Sequence, residues 1–218
     1  LDTKGVPEER AAEVSVGVGY NSLATGAKGR TFEGGDTLFG SSGDLEMPGP
    51  VADATDDGDE PLPFAPDERA DLAQSFSNTW SPQEESLPPA HSVSATYGDR
   101  IDTGIGQYGV LGSVSWGRDY EHWTEQETNF GPGLAVESEY TRERTDVNID
   151  LGGMLVLGGK WGKNHEVTSN SFFMRKTRQR VEVEEGSSFV SDSRFERNVL
   201  LEWSQREMFV QQFQGKHQ

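Results

Sequence analysis

The feature that most constrains this fold is a strict alternation of apolar and polar residues near the start of the chain. Within residues 11–22, Val14, Val16, Val18 and Tyr20 occupy one parity, and polar or small residues occupy the other. A period of two over so many residues predicts a β-strand with one apolar and one polar face. What covers the apolar face then decides which kind of protein this is.

The composition restricts the answer. Only 33% of the 218 residues are hydrophobic and the mean hydropathy is −0.68, which is poor in apolar material for a soluble domain with a full core. The formal net charge of −18 argues against a nucleic-acid partner, because phosphate binding requires clustered Lys and Arg. The absence of cysteine excludes disulfides and thiolate metal sites. No run of about 18 apolar residues occurs, so no transmembrane helix is predicted.

The alternation predicts an all-β fold, an antiparallel meander of long strands, and it favours one that forms part of a transmembrane β-barrel over a soluble sandwich. The six predicted strands have the approximate limits 11–23, 91–99, 106–120, 140–158, 165–183 and 194–213. Residues 26–90 are predicted as a long loop with one helical turn near its end, and residues 121–139 as a second polar loop. In the sixth strand Gln205 and Glu207 interrupt the apolar parity, and a β-bulge near Gln205 would restore it.

The predicted connections alternate in length. Those at 26–90 and 121–139 are long, and those at 99–105 and 158–164 are short. Short turns at one end and long loops at the other are typical of outer-membrane barrels. A strand of about nineteen residues, tilted by about 45°, rises roughly 45 Å, which exceeds the apolar band of about 25 Å. Such strands would extend beyond the membrane on the loop side.

The alternation also predicts which side chains meet lipid and which form interfacial belts. The predicted lipid-facing residues are Val14, Val16, Val18, Val110, Val114, Ile149 and Leu151. Trp116, Tyr120 and Trp123 cluster where the third strand ends, and Trp161 lies in a short turn. Amphipathic rings in these places are typical of the aromatic girdles of membrane barrels.

Several phrases resemble TonB-dependent outer-membrane receptors, particularly the large ones typical of Bacteroidetes-like bacteria. LDTKGVP resembles the exit from the plug domain of that family, and VSVGVGYNSLATG resembles its first barrel strand. The later phrases with family counterparts are FSNTWSPQEESLPPAHSVSATYGDR, GQYGVLGSVSWGRDY, KWGKNHEVTSNSFFMR and LLEWSQREMFVQQFQGKH. They follow the expected order along nearly the whole chain, interrupted only at residues 26–74.

The resemblance implies that residues 1–10 end the plug or its linker and that residues 11–218 form the first part of a barrel of about 22 strands. Six strands are fewer than the smallest barrel of eight, and unpaired strand edges cannot face lipid. The chain is therefore expected to be a fragment that lacks the plug and is truncated at both ends. The implied partners are outer-membrane lipid, the missing plug domain, the TonB–ExbB–ExbD system and a small nutrient ligand of unknown identity. The implied role is energy-coupled uptake across the bacterial outer membrane, with loops 26–90 and 121–139 facing the substrate.

Two patterns that carry chemistry in other proteins are interpreted here as structural. Gly104, Gly106 and Gly109 spell GxGxxG, but they lie in a turn that enters a strand, whereas the dinucleotide motif opens a helix. Asp146 and Asp150 could mimic a glycosidase dyad, although on the polar face of a barrel strand they more simply line a wet lumen. No catalytic residue and no cofactor site are predicted, and the chain is not expected to be an enzyme.

Metal ligation is not predicted either. His91, His122, His165 and His217 are scattered, with no spacing typical of a metal site. The acidic stretch 53–60 does not fit an EF-hand loop, so calcium binding there is only a minor hypothesis.

Two other classes of protein are compatible with the alternation. A secreted, soluble β-sandwich that binds glycans would bury the apolar face between two sheets, but sandwich strands are usually much shorter than those predicted here. A passive outer-membrane porin would share the wall and have no plug.

Overall fold

In the computed structural model, residues 9–35, 37–56, 58–59, 61, 65–77, 81–162, 164–189 and 194–217 are described. Their largest unit is one antiparallel sheet of six strands, which run up and down in chain order. These strands are β1 (Ala11–Gly19), β4 (Ala90–Asp102), β5 (Gly106–Phe130), β6 (Val136–Trp161), β7 (His165–Ser188) and β8 (Arg194–His217). The antiparallel all-β prediction is therefore confirmed, and within the described residues β1 and β8 form the two open edges of the sheet.

Residues 20–89, called the inserted segment below, leave the sheet after β1 and return to it at β4. Their elements are β2 (Lys28–Thr31), a 3₁₀ turn (Gly43–Leu45), α1 (Gly49–Thr55), α2 (Pro66–Gln74) and β3 (Gln83–Ser86). β2 and β3 pair as a small antiparallel ladder of their own. The prediction of an irregular loop at 26–90 is thus only partly right.

The prediction of a single helical turn near the end of that loop was too short. α2 has nine residues, with Pro66 at its start and Asp67 and Glu68 in its first turn. Proline is pre-organised for the first helical position, and acidic residues there are stabilised by the helix dipole.

The main strands are longer than the alternation predicted. β5 has 25 residues, β6 has 26 and β7 has 24, which corresponds to about 80 Å of extended chain. The polar loop predicted at 121–139 was wrong, because β5 continues to Phe130 and β6 begins at Val136. These residues are polar on both faces, so the period of two that identifies a strand is hidden there.

The first strand, by contrast, is shorter than predicted. It ends at Gly19 rather than near residue 23. The side-chain oxygen of Asn21 accepts a hydrogen bond from the Leu23 amide. The backbone carbonyl of Asn21 accepts hydrogen bonds from the amides of Ala24 and Thr25. Such a turn built on Asn stops the strand and starts the inserted segment.

The β-bulge that would have restored the apolar parity near Gln205 is not formed. The β7–β8 register runs from Ser188 to His165 without a shift, and Gln205 lies opposite Thr177. Glu207 forms an ion pair with Arg175 across the strands, with a shortest N···O distance of 2.6 Å. The ladder can therefore stay regular, because the charge that interrupts the apolar parity has a partner on the same face.

The inserted segment folds back over one face of the sheet, and two clusters of buried apolar residues lie beneath it. Phe32 packs with Val181 and Val183, and Ala24 and Leu87 pack with a second pair of sheet residues, Tyr120 and Val147. Backbone carbonyls of the segment accept bonds from sheet side chains: Gln179 Nε2 donates to Phe32 and Thr177 Oγ1 to Gly40, both at 2.5 Å. These contacts fix the segment against the sheet over β5, β6 and β7.

We predict that Gly40→Ala loosens the inserted segment. Gly40 has a φ of +70°, and a Cβ there would lie 2.6 Å from Thr177 Oγ1. Left-handed backbone costs an L-residue about 1–2 kcal/mol, and overpacking adds about 1–3 kcal/mol. Limited proteolysis should cut residues 20–89 faster in this variant than in the parent chain.

Gly26→Ala is the matched control, because Gly26 has a φ of +83° and nothing within 4 Å of its Cβ position. It carries the same backbone strain without the collision. Equal cleavage of the two variants would show that Gly40 does not hold the segment.

Candidate functional site

Apart from a shift between Asn129 and Phe130 at the far end of the β5–β6 pairing, the register of the described strands is regular and sorts the side chains of the sheet into two faces. One row that crosses all six strands consists of Val14, Ala95, Val114, Gly153, Phe173 and Phe209. The face that carries this row is called the apolar face, and the opposite one, which carries Ser115, is called the polar face. All seven residues predicted to meet lipid lie on the apolar face, as the alternation required.

The apolar face is covered at one end and exposed at the other. The inserted segment covers the end near the long connections. Toward the short connections that follow β4 and β6 the apolar side chains are exposed, with Val14 and Phe213 each at 73% and Val114 at 61%. The other exposed apolar residues of this zone include Leu155, Leu157, Val167 and Phe209.

One predicted lipid contact is wrong. Ile149 is only 1% exposed, because the inserted segment crosses it at Gly40, whose Cβ position lies 3.4 Å from Ile149 Cγ2. The exposed zone therefore ends between Leu151, which is half-buried, and Ile149.

Tryptophans mark both margins of the exposed zone. Trp161 lies opposite Gly106 at the short-turn end, and Trp116 lies ten residues farther along β5 on the same face. Ten residues span about 33 Å along a strand, and a tilt of 35–45° reduces this to roughly 25 Å of height. The indole N–H of Trp116 donates to the carbonyl of Leu38 in the inserted segment at 2.5 Å.

Two aromatic residues predicted for the same girdle lie elsewhere. Tyr120 is buried under the inserted segment, and this burial raises the pKa of its phenol. Trp123 lies on the polar face, where the Arg144 guanidinium is 4.4 Å from its ring centre. Trp116 and Trp123 are close in sequence but have opposite parity, so they lie on opposite faces of the strand. Their closeness in sequence therefore did not show that they belong to one girdle.

Polar side chains inside the exposed zone bond to one another. Gln211 accepts a bond from Ser171 Oγ at 2.5 Å and donates one to Ser169 Oγ at 2.9 Å. Tyr97 donates to Asp99 at 2.9 Å. These pairs reduce the number of polar atoms that the zone presents to its surroundings.

The polar face carries a dense network of ion pairs along β5, β6, β7 and β8. Arg142 lies within 4 Å of four glutamates, and its Nη2 is 2.6 Å from Glu184 Oε2. The hydrogen bond to Glu184 raises the pKa of Arg142. Nearer the short turns, a cavity of about 340 Å³ is lined by both acidic and basic residues of this face, among them Asp119, Asp150, Lys176 and Arg206.

Asp146 is the most buried charge of this network. Its side chain is 4% exposed and is held by Arg180 through two bonds of 2.9 and 3.0 Å and by Arg144 at 2.8 Å. Burial raises the pKa of Asp146, and the neighbouring Arg144 and Arg178 oppose that shift. The carboxylate therefore fixes two guanidinium groups in place.

An apolar cavity interrupts the polar face near the middle of the exposed zone. It has a volume of about 450 Å³ and is lined mainly by Met154, Phe172, Met174, Met208 and Val210. Met208 is 48% and Val210 42% exposed. The sequence did not predict this patch, because its apolar residues belong to three strands, β6, β7 and β8. They become neighbours only when these strands pair in the observed register.

The residues considered for catalysis or cofactor binding lie in ion pairs of the sheet or at the entry to a strand. Asp146 and Asp150 lie four residues apart on β6, about 13 Å along the strand, which exceeds the carboxylate spacing of glycosidases. Each has a cationic partner, since Asp150 pairs with Lys176 at 3.4 Å. Gly104 lies in the turn before β5, where Thr103 bonds to Gly106. Gly106 and Gly109 lie in β5 itself, so the motif enters a strand, as expected, and does not open a helix.

The acidic stretch 53–60 and the histidines were considered for metals. Asp53 lies in α1 and Asp56 caps its end, whereas Asp57 and Glu60 lie outside the described residues. Among the described residues, no three or more His, Asp and Glu side chains are grouped so that they could hold a metal ion. His165 and His217, which are far apart in sequence, lie side by side on β7 and β8.

No helix in the described part of the chain is long and apolar enough to cross a membrane. Comparisons of this chain with protein-family models, with curated proteins and with solved structures found no match.

We predict that Asp146→Ala destabilises the sheet strongly. The change leaves Arg144 without its carboxylate, whereas Arg180 retains a 3.6 Å contact with Glu202. Removing one partner of a buried ion pair costs about 3–5 kcal/mol. Because Arg180 keeps its contact with Glu202, we expect a loss at the lower end, about 3 kcal/mol. Denaturant unfolding followed by tryptophan fluorescence measures it.

Asp150→Ala is the control on the same strand and face. Its side chain is 52% exposed, and exposed ion pairs contribute about 0–1 kcal/mol. Similar losses in both variants would mean that burial of Asp146 is not what makes it important.

Proposed function

We propose that this chain forms part of the wall and the outer loops of a TonB-dependent outer-membrane receptor. The observation that carries the proposal is the exposed apolar zone between Trp116 and Trp161. Its height of roughly 25 Å equals the apolar band of outer-membrane barrels, and aromatic residues at both margins are what such a band requires. Lipid is the covering that matches this zone.

The open edges support a larger barrel. β1 and β8 each have one neighbour in the described sheet, and backbone groups in a bilayer must be paired. Further strands beside β1 and β8 would supply the missing partners and close the wall. The polar face would then line the interior, and its ion pairs would stabilise a wall in contact with water.

The apolar cavity favours a receptor with a plug over a passive porin. In an open pore, Met208, Val210 and their neighbours would face water, which is unfavourable for an apolar patch. A plug domain inside the barrel would cover them. Energy coupling through TonB, ExbB and ExbD and the uptake of a small nutrient rest on the family resemblance of the sequence.

Strand length disfavours the soluble glycan-binding sandwich. Strands of globular proteins usually have 3–10 residues, whereas β5, β6, β7 and β8 have 24–26. On the proposed reading, the parts of these strands beyond Trp116 extend outside the membrane. The inserted segment covers their apolar face there, at the end that carries the substrate-facing connections.

The gene on both sides of this chain provides the first test. A plug domain encoded upstream and some sixteen further amphipathic strands downstream are expected for a receptor. Downstream strands without an upstream plug would favour a porin. A gene that encodes neither a plug upstream nor further strands downstream would overturn the membrane assignment.

We further predict that Leu155→Arg prevents outer-membrane assembly. Leu155 lies on the apolar face opposite Gly112, near the middle of the zone, where a lipid-facing Arg costs about 2–4 kcal/mol. The substitution is introduced into the complete gene and the protein is expressed from it. The fraction of protein in the outer membrane is measured, and folding is checked by the shift in gel migration on heating.

Ser15→Arg is the control, because Ser15 is an exposed residue of the polar face and lies outside the apolar cavity. It should assemble much better than Leu155→Arg. Equal assembly of both variants would contradict the assignment of lipid to the apolar face.

A further inference from the structure

The register brings three rings together at the short-turn end of the sheet. Trp161 lies opposite His165, and His165 lies opposite His217, so all three share the apolar face. The rings of Trp161 and His165 are stacked with centres 5.8 Å apart, and those of the two histidines are 4.6 Å apart. The Nδ1 atoms of His165 and His217 are 3.2 Å apart, in a hydrogen bond.

This spacing suits a shared metal ion as well as a shared proton. In the hydrogen bond one imidazole donates and the other offers its lone pair. A transition metal binds imidazole nitrogen at about 2.0–2.1 Å, so two nitrogens at an angle between 90° and 110° around one ion lie about 2.9–3.4 Å apart. The observed 3.2 Å falls inside this range. An ion could therefore take the place of the proton once the two exposed, near-parallel rings rotate so that both Nδ1 lone pairs point at it, and this needs no shift of the two strands.

The chemistry of the neighbourhood selects the kind of ion. Both histidines are exposed, so water can complete the coordination. The nearest charged row, Lys160, Glu166 and Lys216, belongs to the polar face and supplies no carboxylate to the pair. Imidazole ligands suit copper, zinc and nickel, whereas calcium and magnesium require oxygen ligands.

We propose that His165 and His217 form a cross-strand binding site for a divalent transition-metal ion, with Trp161 packed against it. Copper(II) should bind most tightly, followed by nickel(II) or zinc(II), as the general affinity order of such ions requires. A bound ion would link β7 to β8 and hold the end of β8 in register. The proposal needs only the β7–β8 pairing and is independent of the proposed function.

The test is a titration of the untagged chain, in its native flanking sequence, with copper(II) chloride. The protein is kept in detergent micelles if it is a membrane protein and in plain buffer if it is not. Copper binding can therefore be measured in either case, and failure of the membrane assignment would not by itself contradict the metal site. Calorimetry should give one ion per chain, and electron paramagnetic resonance should show nitrogen ligands. Tryptophan fluorescence should fall, and Trp161→Phe should remove that part of the quenching while leaving binding intact.

His165→Ala and His217→Ala should each weaken copper binding by at least about tenfold, since even loss of an outer-shell partner costs that much at metal sites. His91→Ala and His122→Ala are the controls, because their Nδ1 atoms contact the Pro89 carbonyl and Thr145 Oγ1. Circular dichroism checks that each variant folds. No binding, one ion per two chains, or binding lost equally in the controls would overturn the proposal.

Discussion

The long antiparallel ladder of backbone hydrogen bonds is the constraint on which the rest of this structure depends. Because β6 and β7 remain in register from Ser138 to Trp161, each residue on them is assigned to one face by its parity. A slip of one residue would move the Asp146 carboxylate to the apolar face and the buried Val147 to the polar one. The regular ladder therefore produces both the apolar zone and the ion-pair network.

The inserted segment divides the apolar face into two environments. Where it packs, apolar side chains such as Phe32 and Val181 form a buried core, and its backbone carbonyls accept bonds from Thr177 and Gln179. Between Trp116 and the short turns the same face has no such cover, and its valines, leucines and phenylalanines are exposed. One amphipathic pattern thus serves two purposes, an intramolecular core and the surface that we assign to lipid.

The two faces use electrostatics differently. On the polar face, Arg142, Arg144 and Arg180 are each held by carboxylates, which stabilises strands that contact water. On the apolar face, charge is rare, and Arg175 with Glu207 lies in the row of Trp116 at the margin of the exposed zone. Inside the zone, Asp99 is a charge on this face, and it is paired with Arg10 and accepts a hydrogen bond from Tyr97.

The sequence by itself determined the antiparallel β-sheet, the six main strands and the parity of the first four, because a period of two is a local property of an extended chain. It left the parity of the fifth and sixth strands open, because their apolar residues do not keep to one parity. It could not show that residues 121–130 continue β5, since polar residues on both faces conceal that period. Only the tertiary structure decided that Ile149 and Tyr120 are covered rather than exposed, that Met154, Phe172 and Val210 form one apolar cavity, and that His165 meets His217. Each of these depends on which distant residues the strand register and the inserted segment bring into contact, and alternation along a single strand carries no information about them.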